Sequence, residues 1–180
     1  MPIQRAKPRI IDLDQTPLTS ISSADMPAGT VIAAEYARKQ DHQTFTSTSF
    51  ADVTGLTVTM TPASTSSKFL VTASVHISTY NWAAGGMYFG VFANSTRIAG
   101  SGSQVWMVDY GPDASNAQYE NRQYFAQRLY SPSSTSSQLF KVQLANGSSS
   151  YNGYVNRNYI SSTGQGSDGE CYLSVLEIAG

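Results

Sequence analysis

Residues 69–77 read Phe69-Leu70-Val71-Thr72-Ala73-Ser74-Val75-His76-Ile77. Apolar and polar residues alternate along this stretch, so that Val71, Val75 and Ile77 share one face of an extended chain. A β-strand that is buried on one side has this period of two residues, because successive side chains point to opposite faces of a sheet. The stretch therefore predicts an antiparallel strand with one face in a hydrophobic core.

The same alternation recurs on both sides of this strand. It is present in residues 56–60, 87–92, 124–130, 138–144 and 170–178, with Gly, Pro, Asn and Ser clusters between the runs. Hardly any segment has the period of a helix. Six or more short strands separated by turns predict an all-β fold, and an antiparallel β-sandwich with loops gathered at its two ends buries their inner faces economically.

A second pattern is a repeated corner. Residues 61–70 read Thr61-Pro62-Ala63-Ser64-Thr65-Ser66-Ser67-Lys68-Phe69-Leu70, and residues 131–140 read Ser131-Pro132-Ser133-Ser134-Thr135-Ser136-Ser137-Gln138-Leu139-Phe140. In each copy a strand ends, Pro and a Ser/Thr-rich loop follow, and another strand begins. Two similar corners indicate a sandwich with internal pseudo-symmetry, whereas a solenoid needs at least three repeats.

The first thirty residues have a different composition. Four of the seven prolines lie there, at Pro2, Pro8, Pro17 and Pro27, and no apolar period is sustained. Because proline blocks helix and ladder pairing, this segment is predicted to be an extended arm that orders against another surface. A disordered leader is the alternative. The apolar residues that suit docking on a partner are Ile10, Ile11, Leu13, Leu18 and Ile21.

Residues 31–39 are ambiguous between helix and strand. The run Ile32-Ala33-Ala34-Glu35-Tyr36-Ala37-Arg38 favours a helix by propensity, whereas Val31-Ile32 after Gly29-Thr30 suits the start of a strand. We favour the strand. We divide the chain into an extended N-terminal anchoring arm, residues 1–40, and a β-sandwich domain, residues 41–180, because 180 residues suffice for one domain of ordinary size.

Composition argues against several classes of function. Charged residues make up 13% of the chain and the net charge is -1, which disfavours nucleic acid and an anionic membrane as partners. The first ten residues lack the apolar segment of a secretory signal, and no stretch approaches the ~20 apolar residues of a membrane span. Cys171 is the one cysteine and lies within an apolar alternation, which predicts a buried and inert thiol.

Residues suited to catalysis or ligand binding are sparse. His42 and His76 have no metal-ligand companion at a useful spacing, and the alternation turns His76 toward solvent or a subunit interface. The run Gly164-Gln165-Gly166-Ser167-Asp168-Gly169 has the letters of a dinucleotide fingerprint, but a predicted strand follows it where that fingerprint requires a helix. We therefore expect no catalytic, cofactor-binding or metal site.

Two acidic pairs lie in predicted loops. They are Asp109 with Asp113 and Asp168 with Glu170, and the local sequence of each is that of an ordinary turn. Calcium ligation and a carboxylate dyad for glycoside cleavage are the alternative interpretations.

Aromatic residues concentrate after Thr79. The chain has 11 tyrosines and 2 tryptophans. In loops, these side chains offer flat faces with polar tips, which stack on sugar rings or anchor protein contacts. Trp82, Trp106 and Tyr110 are the candidates for contact with a receptor or glycan, and packing against neighbouring loops or sister subunits is the alternative.

Two runs of sequence carry a resemblance to a known family. The first is Thr44-Phe45-Thr46-Ser47-Thr48-Ser49-Phe50-Ala51-Asp52-Val53-Thr54-Gly55-Leu56-Thr57-Val58-Thr59-Met60-Thr61-Pro62, continued by Ser66-Ser67-Lys68-Phe69-Leu70-Val71. The second is the ending Leu173-Ser174-Val175-Leu176-Glu177-Ile178-Ala179-Gly180. The two runs resemble the start and the last strand of a jelly-roll domain that occurs in bacteriophage tail-fibre and virion-appendage proteins. That domain is similar to the tumour-necrosis-factor and C1q fold. Upstream, Met26-Pro27-Ala28-Gly29-Thr30-Val31-Ile32 looks like the junction that often precedes it.

The resemblance implies a homotrimeric virion protein and brings no motif of catalytic residues. We expect a non-enzymatic trimeric tail or baseplate fibre without cofactor, whose arm docks on other virion proteins while the sandwich loops contact a host-surface glycan or protein. A capsid decoration trimer of the cement or head-fibre kind, with its arm on the major capsid protein, is one alternative. A glycan depolymerase is the alternative from another class, and a secreted lectin of the C1q type fits the architecture but lacks a signal peptide.

Overall fold

The chain folds into two antiparallel β-sheets. The computed structural model describes residues 26–79, 86–99, 106–107, 122–150, 152–158 and 169–180. Strands in these residues are β1 (Val31–Lys39), β2 (Gln43–Phe45), β3 (Ala51–Met60), β4 (Lys68–Thr79), β5 (Met87–Ala93), β6 (Thr96–Arg97), β7 (Trp106–Met107), β8 (Arg122–Tyr130), β9 (Gln138–Asn146), β10 (Gly153–Val155) and β11 (Cys171–Ile178). The predicted all-β, jelly-roll-like antiparallel sandwich is confirmed.

Sheet 1 is built around the long strand β4. Strand β11 pairs with one edge of β4 from Lys68 to Ser74, and β8 pairs with the other edge from Phe69 to Ile77. Strand β1 pairs with the far edge of β11, and β10 and β2 extend the sheet at the end of β4. Sheet 2 has the order β3-β9-β5-β6, with β7 also paired to β5.

The inward faces of the two sheets form one hydrophobic core. At its centre Phe69 of β4 and Phe140 of β9 are fully buried, with ring centroids 5.1 Å apart and an edge-to-face angle of 65°. Tyr130 of β8 makes a second edge contact with Phe140. Burial of each large side chain contributes on the order of 1.5–3 kcal/mol. The surrounding core residues include Val53, Leu56, Val71, Val75, Ile77, Met87, Phe89, Val142, Leu144, Leu173 and Val175.

The two repeated corners connect the sheets at the same end of the sandwich. Residues 61–67 lead from β3 to β4, and residues 131–137 lead from β8 to β9. Ser64 Oγ accepts a hydrogen bond from the Ser66 amide at 3.0 Å, and the equivalent Ser134 Oγ accepts one from the Ser136 amide at 3.0 Å. The same side-chain turn therefore closes both corners, as the repeated sequence predicts.

The N-terminal boundary of the sandwich differs from the sequence-based division. Residues 31–39, which the sequence assigned to the arm of residues 1–40, form β1 and pair with β11 from Val31 to Lys39. Their predicted strand conformation is confirmed. The small side chains of Ala33 and Ala37 pack against the core, and ladder pairing outweighs the weak β propensity of alanine. The sandwich therefore begins by Val31, not at residue 41, and residues 1–25 lie outside the described part of the chain.

The sandwich has two different ends, which we call the arm end and the loop end. The arm end contains the starts of β1 and β4 and both Ser/Thr corners. There the Gly29 amide donates a hydrogen bond to the Ala179 carbonyl at 2.8 Å. The loop end contains the residues that border three segments of the chain. Thr79 precedes residues 80–85, Arg122 follows residues 108–121, and Gly169 follows residues 159–168. Twelve residues of β4 span the about 40 Å between the two ends.

Candidate interaction surface

The outward face of sheet 1 exposes large hydrophobic side chains from three strands. Tyr36 of β1 is 75% exposed, Phe125 and Leu129 of β8 are 59% and 51% exposed, and Tyr172 of β11 is 41% exposed. We call this outward side of β1, β11, β4 and β8 the apolar face. Scattered surface hydrophobics are ordinary, but a contiguous set on one sheet face marks an interaction surface.

The strand register explains why these side chains lie together. Leu129 is opposite Leu70, which is opposite Leu176, which is opposite Ala34, so one row across four strands is apolar. Two residues further along the strands, Tyr36 begins a row through Ser174, Thr72 and Gln127. The next row contains Arg38, Tyr172, Ser74 and Phe125. Side chains that are opposite in an antiparallel pair share one face of the sheet.

Polar side chains on the apolar face bond to one another. Gln123 Nε2 donates to Ser74 Oγ at 2.7 Å, and Gln127 Nε2 donates to Thr72 Oγ1 at 3.1 Å. At the loop end of the face, Arg38 Nε lies 2.9 Å from Glu170 Oε1. Because burying an unsatisfied polar group is costly, these internal bonds lower the cost of covering the face.

The outward face of sheet 2 has a different character. Lys141 Nζ lies 3.0 Å from Asp52 Oδ1, and Gln143 Nε2 donates to the same carboxylate at 2.6 Å. Burial raises the pKa of Asp52, but the hydrogen bonds from Gln143 and Lys141 outweigh it and leave the pKa below its ordinary value. Exposed threonines of β3 continue this polar surface. The outward face of sheet 2 therefore combines an ion pair with the exposed Leu139, whereas the outward face of sheet 1 carries the larger number of exposed hydrophobic side chains.

A buried polar network closes the loop end of the sandwich. Asn156 Nδ2 donates to the carbonyl oxygens of Lys39 and Asp41 at 2.9 and 3.2 Å. Its Oδ1 accepts from Cys171 Sγ at 2.9 Å, and its amide donates to the His76 carbonyl at 3.0 Å. The network ties the ends of β1, β4 and β11 together.

Lys39 is the buried charged residue of this network, and its side chain is 1% exposed. Its ammonium lies 2.6 Å from Asp41 Oδ2. The hydrogen bond from Lys39 is the main cause that lowers the pKa of Asp41. Sequence reasoning missed both Lys39 and Asn156, because the Asn156 side chain bonds to carbonyl groups more than a hundred residues earlier in the chain and no local pattern indicates burial of either residue.

Cys171 is buried, as its sequence context predicted. Desolvation raises the pKa of its thiol to about 11, so the thiol is protonated at neutral pH. A protonated, solvent-inaccessible thiol is a poor nucleophile. Its hydrogen bond to Asn156 gives it a structural role in the network.

The structure describes His76 and Gly169, the last residue of the glycine-rich run, whereas residues 164–168 lie outside the described part of the chain. His76 lies on the outward face of sheet 1, as the alternation predicted, and burial lowers its pKa. Gly169 lies in close contact with His76, because a Cβ added at residue 169 would lie 2.5 Å from the His76 Cβ. Strand β11 begins two residues after Gly169, in agreement with the expected strand after the glycine-rich run.

Several predicted site residues fall outside the described residues. These are Trp82 and Tyr110, the acidic residues Asp109, Asp113 and Asp168, and the docking residues Ile10, Ile11, Leu13, Leu18 and Ile21. Trp106 begins β7, which pairs with β5. Within the described ranges, no group of three or more His, Cys, Asp or Glu residues is arranged to hold a metal ion. The same ranges contain no helix long and apolar enough to cross a membrane.

Fold and surface together define a class: an antiparallel jelly-roll-like sandwich with one apolar outer face. Comparison with protein-family models and with curated proteins returned no match for this chain.

Proposed function

We propose that this chain is a bacteriophage virion protein that assembles through the apolar face into a homotrimer and serves as a short tail or baseplate fibre. The single observation that carries the proposal is the apolar face, with Tyr36, Phe125 and Leu129 each more than half exposed. The phage context comes from the sequence resemblance described above. The proposal includes no catalytic step and no cofactor.

The size of the face suits a protein interface. Four strands about 4.8 Å apart and about eight residues long cover on the order of 500 Å² in projection. Stable interfaces bury about 800 Å² per partner, so the face supplies most of one contact surface. In a cyclic trimer each copy meets two neighbours, and the second contact draws on a different surface, for example the edge strand β8.

A second copy of the chain is the occupant that fits the face best. The rows of the apolar face through Leu70 and Thr72 carry no charged residue. The third row carries Arg38, which is paired with Glu170. Because the chain also has a net charge of only -1, two copies meet without strong repulsion. The bonds within Gln123–Ser74 and Gln127–Thr72 satisfy one amide donor of each glutamine, which lowers the cost of removing water from the face. A charged or glycan ligand would instead require free polar groups on the face.

The two-ended shape supports the rest of the proposal. The chain enters the sandwich at the arm end, beside Ala179, while the segments 80–85, 108–121 and 159–168 connect at the loop end. Trp82 and Tyr110 belong to two of these segments. An arm that docks on a virion protein would thus leave the loop end on the side away from the particle, where weak contacts repeated three times add in avidity.

A pair of leucine variants tests the assembly. Leu129 lies on the apolar face and is 51% exposed, whereas Leu139 lies in a strand of sheet 2 on the opposite outer face and is 38% exposed. We expect Leu129→Glu to reduce the mass measured by light scattering to that of one chain, because a carboxylate would be buried in the contact. Leu139→Glu should leave the mass unchanged, and an equal effect of both substitutions would contradict the proposed interface.

Location and lack of activity need separate experiments. Gold-labelled antibody against residues 41–180 should mark the tail of intact virions. Gold over the head would favour the capsid decoration alternative, and unlabelled virions would contradict both. Release of reducing sugar from host polysaccharide by the purified protein would support the depolymerase alternative.

A further inference from the structure

The outward face of sheet 2 carries an aromatic pair that lies over a glycine. Phe50, which precedes β3, and Phe92 of β5 have ring centroids 5.5 Å apart and an interplanar angle of 64°. Both rings lie over Gly90, because a Cβ added at residue 90 would lie 2.8 Å from Phe92 Cε2 and 3.4 Å from Phe50 Cε1. Since residue 90 has no side chain, the rings approach the backbone closely, and each remains partly exposed to solvent.

Polar side chains lie beside the aromatic pair on the same face. Gly90 is opposite Gln143 in the β5–β9 ladder, and Gln143 is opposite Asp52 in the β3–β9 ladder. Lys141 is opposite Phe92. Side chains that are opposite in an antiparallel pair lie about 5 Å apart, so these three polar residues border the rings. We call the following residues the aromatic–polar patch: Phe50, Phe92, Asp52, Lys141 and Gln143.

A β-bulge and a glutamine fix the backbone that carries Asp52. The register between β3 and β9 shifts between Asp52 and Thr57. Gln43 of β2 bonds across this irregularity, because its Nε2 donates to the Asp52 carbonyl at 3.0 Å and its Oε1 accepts from the Thr54 amide at 2.8 Å. Bulges re-aim side chains and are frequent next to functional sites. The carboxylate of the patch is therefore attached to a backbone that a third strand holds in place.

The polar groups of the patch keep hydrogen-bonding capacity for a ligand. The Asp52 side chain is 50% exposed, and a carboxylate offers about four acceptor positions, of which Lys141 and Gln143 occupy only a part. The Gln143 amide carries a second N–H, and the Lys141 ammonium has three donors. An acceptor and two donors thus lie side by side, and the ion pair as a whole has no net charge.

We propose that the aromatic–polar patch binds a neutral sugar residue of a glycan. Sugar hydroxyls both donate and accept hydrogen bonds, which suits the carboxylate, amide and ammonium of the patch, and a sugar ring stacks on aromatic faces. An anionic ligand would meet the Asp52 carboxylate, and a purely apolar partner would bury three polar groups without new bonds. The inference goes beyond the proposed function, which assigns outside contacts to the loop end, and it does not require assembly.

Titration calorimetry of the full-length chain with soluble tetrasaccharides tests the proposal. The neutral probes are the tetramers of glucose, galactose, mannose and N-acetylglucosamine, and tetragalacturonate is the acidic probe, which Arg97 opposite Phe92 would favour. We expect at least one neutral probe to bind. The Kd should rise at least about tenfold in Phe92→Leu, which loses the ring but keeps an apolar side chain. Phe125→Leu, the same change on the apolar face, should leave the Kd unchanged.

Two results of this titration would overturn the proposal. One is that no neutral tetrasaccharide binds, and the other is that tetragalacturonate binds more tightly than every neutral probe. Binding of a neutral probe with the same Kd in Phe92→Leu as in the unsubstituted chain would also overturn it, because the sugar would then contact another part of the molecule.

A second pair of variants separates sugar binding from assembly. Asp52→Ala should raise the Kd at least about tenfold, through loss of the acceptor, while the mass measured by light scattering stays the same. Its Tm should fall by no more than about 2–4 °C, because exposed ion pairs contribute little to stability. Leu129→Glu should reduce the mass and leave the Kd unchanged. A monomeric chain that still binds the sugar would contradict the proposed assembly alone, whereas an unchanged Kd in Asp52→Ala would overturn the sugar site alone.

Discussion

Asn156 is the residue on which the loop end depends most. Its backbone adopts a left-handed conformation, φ 61°, which only Gly and Asn adopt readily. That conformation directs its amide group to the carbonyls of Lys39 and Asp41 on one side and to Cys171 on the other. Backbone geometry and side-chain chemistry both require asparagine at this position.

Removal of the Asn156 side chain should cost about 3 kcal/mol of the free energy of unfolding. Asn156→Ala leaves the buried Lys39 carbonyl without its donor and adds strain at positive φ. Asn156→Gly relieves the strain but not the lost bonds, so it should be more stable than Asn156→Ala by about 1 kcal/mol. Urea unfolding curves of the three proteins measure both differences. Free energies of unfolding equal to that of the unsubstituted chain would contradict a stabilising role of the Asn156 network.

The pair Lys39–Asp41 makes the loop end sensitive to acid. The hydrogen bond from Lys39 holds the pKa of Asp41 below its ordinary value of 3.8. A pKa that is lower in the folded state gives stability that is present above the unfolded-state pKa and is lost as pH falls through the folded-state pKa. The buried Lys39 ammonium would then lack its counter-ion.

Asp41→Asn tests this acid dependence. The urea midpoint of Asp41→Asn should lie below that of the unsubstituted chain at pH 7. The difference should shrink as pH falls below about 4, where Asp41 becomes protonated first in the unfolded chain. Unfolding curves at several pH values provide the measurement. A difference that stays constant from pH 7 to pH 3 would show that the ion pair does not stabilise the fold.

At the scale of strands, the alternation pattern located β4, β5, β8, β9 and β11 and the second half of β3 among the described residues. The pattern succeeds in β4, β9 and β11 because one face of each is buried and the other is exposed. It misses β10, whose three residues are all buried, and β2, β6 and β7, which are too short to show a period. Strand β1 was ambiguous because its alanines pack inward only when β11 lies beside them.

The residues of the interaction surface, unlike the strands, could not be predicted from the sequence. The sequence predicted that loop aromatics make the contacts, whereas the apolar face is formed by strands that are far apart in the chain, such as β1 and β8. Tyr36 and Phe125 are ordinary strand residues by sequence. Only the sheet order brings them to one surface, so residue spacing alone could not identify it.

Strand β10 packs closely against sheet 2 at its first residue, Gly153. A Cβ on Gly153 would overlap the Met87 side chain and lie 2.6 Å from Asn146 Oδ1. Gly153→Ala should therefore lower the free energy of unfolding by about 1–3 kcal/mol, as overpacking does. Adding Met87→Ala should make the cost of Gly153→Ala smaller, which a double-mutant cycle of urea unfolding detects. Strict additivity of the two changes would contradict the predicted overlap.

The whole molecule separates its surfaces by chemistry. One outer face carries the exposed hydrophobic side chains Tyr36, Phe125, Leu129 and Tyr172, and the other carries the ion pair of Lys141 and Asp52 beside Leu139. The arm end carries the chain entry, the Ala179 contact and the Ser/Thr corners, and the loop end carries the connections near the aromatic segments. Such a sandwich can contact sister copies with one face and other molecules with its two ends.

Self-association is the central claim of this account, and the mass of the full-length chain in solution tests it most directly. Light scattering at micromolar concentration should give three times the chain mass of 19.4 kDa. The value should persist at high salt, because the proposed contact is apolar and salt weakens only contacts between exposed charges. A mass of 19.4 kDa under these conditions would contradict assembly through the apolar face.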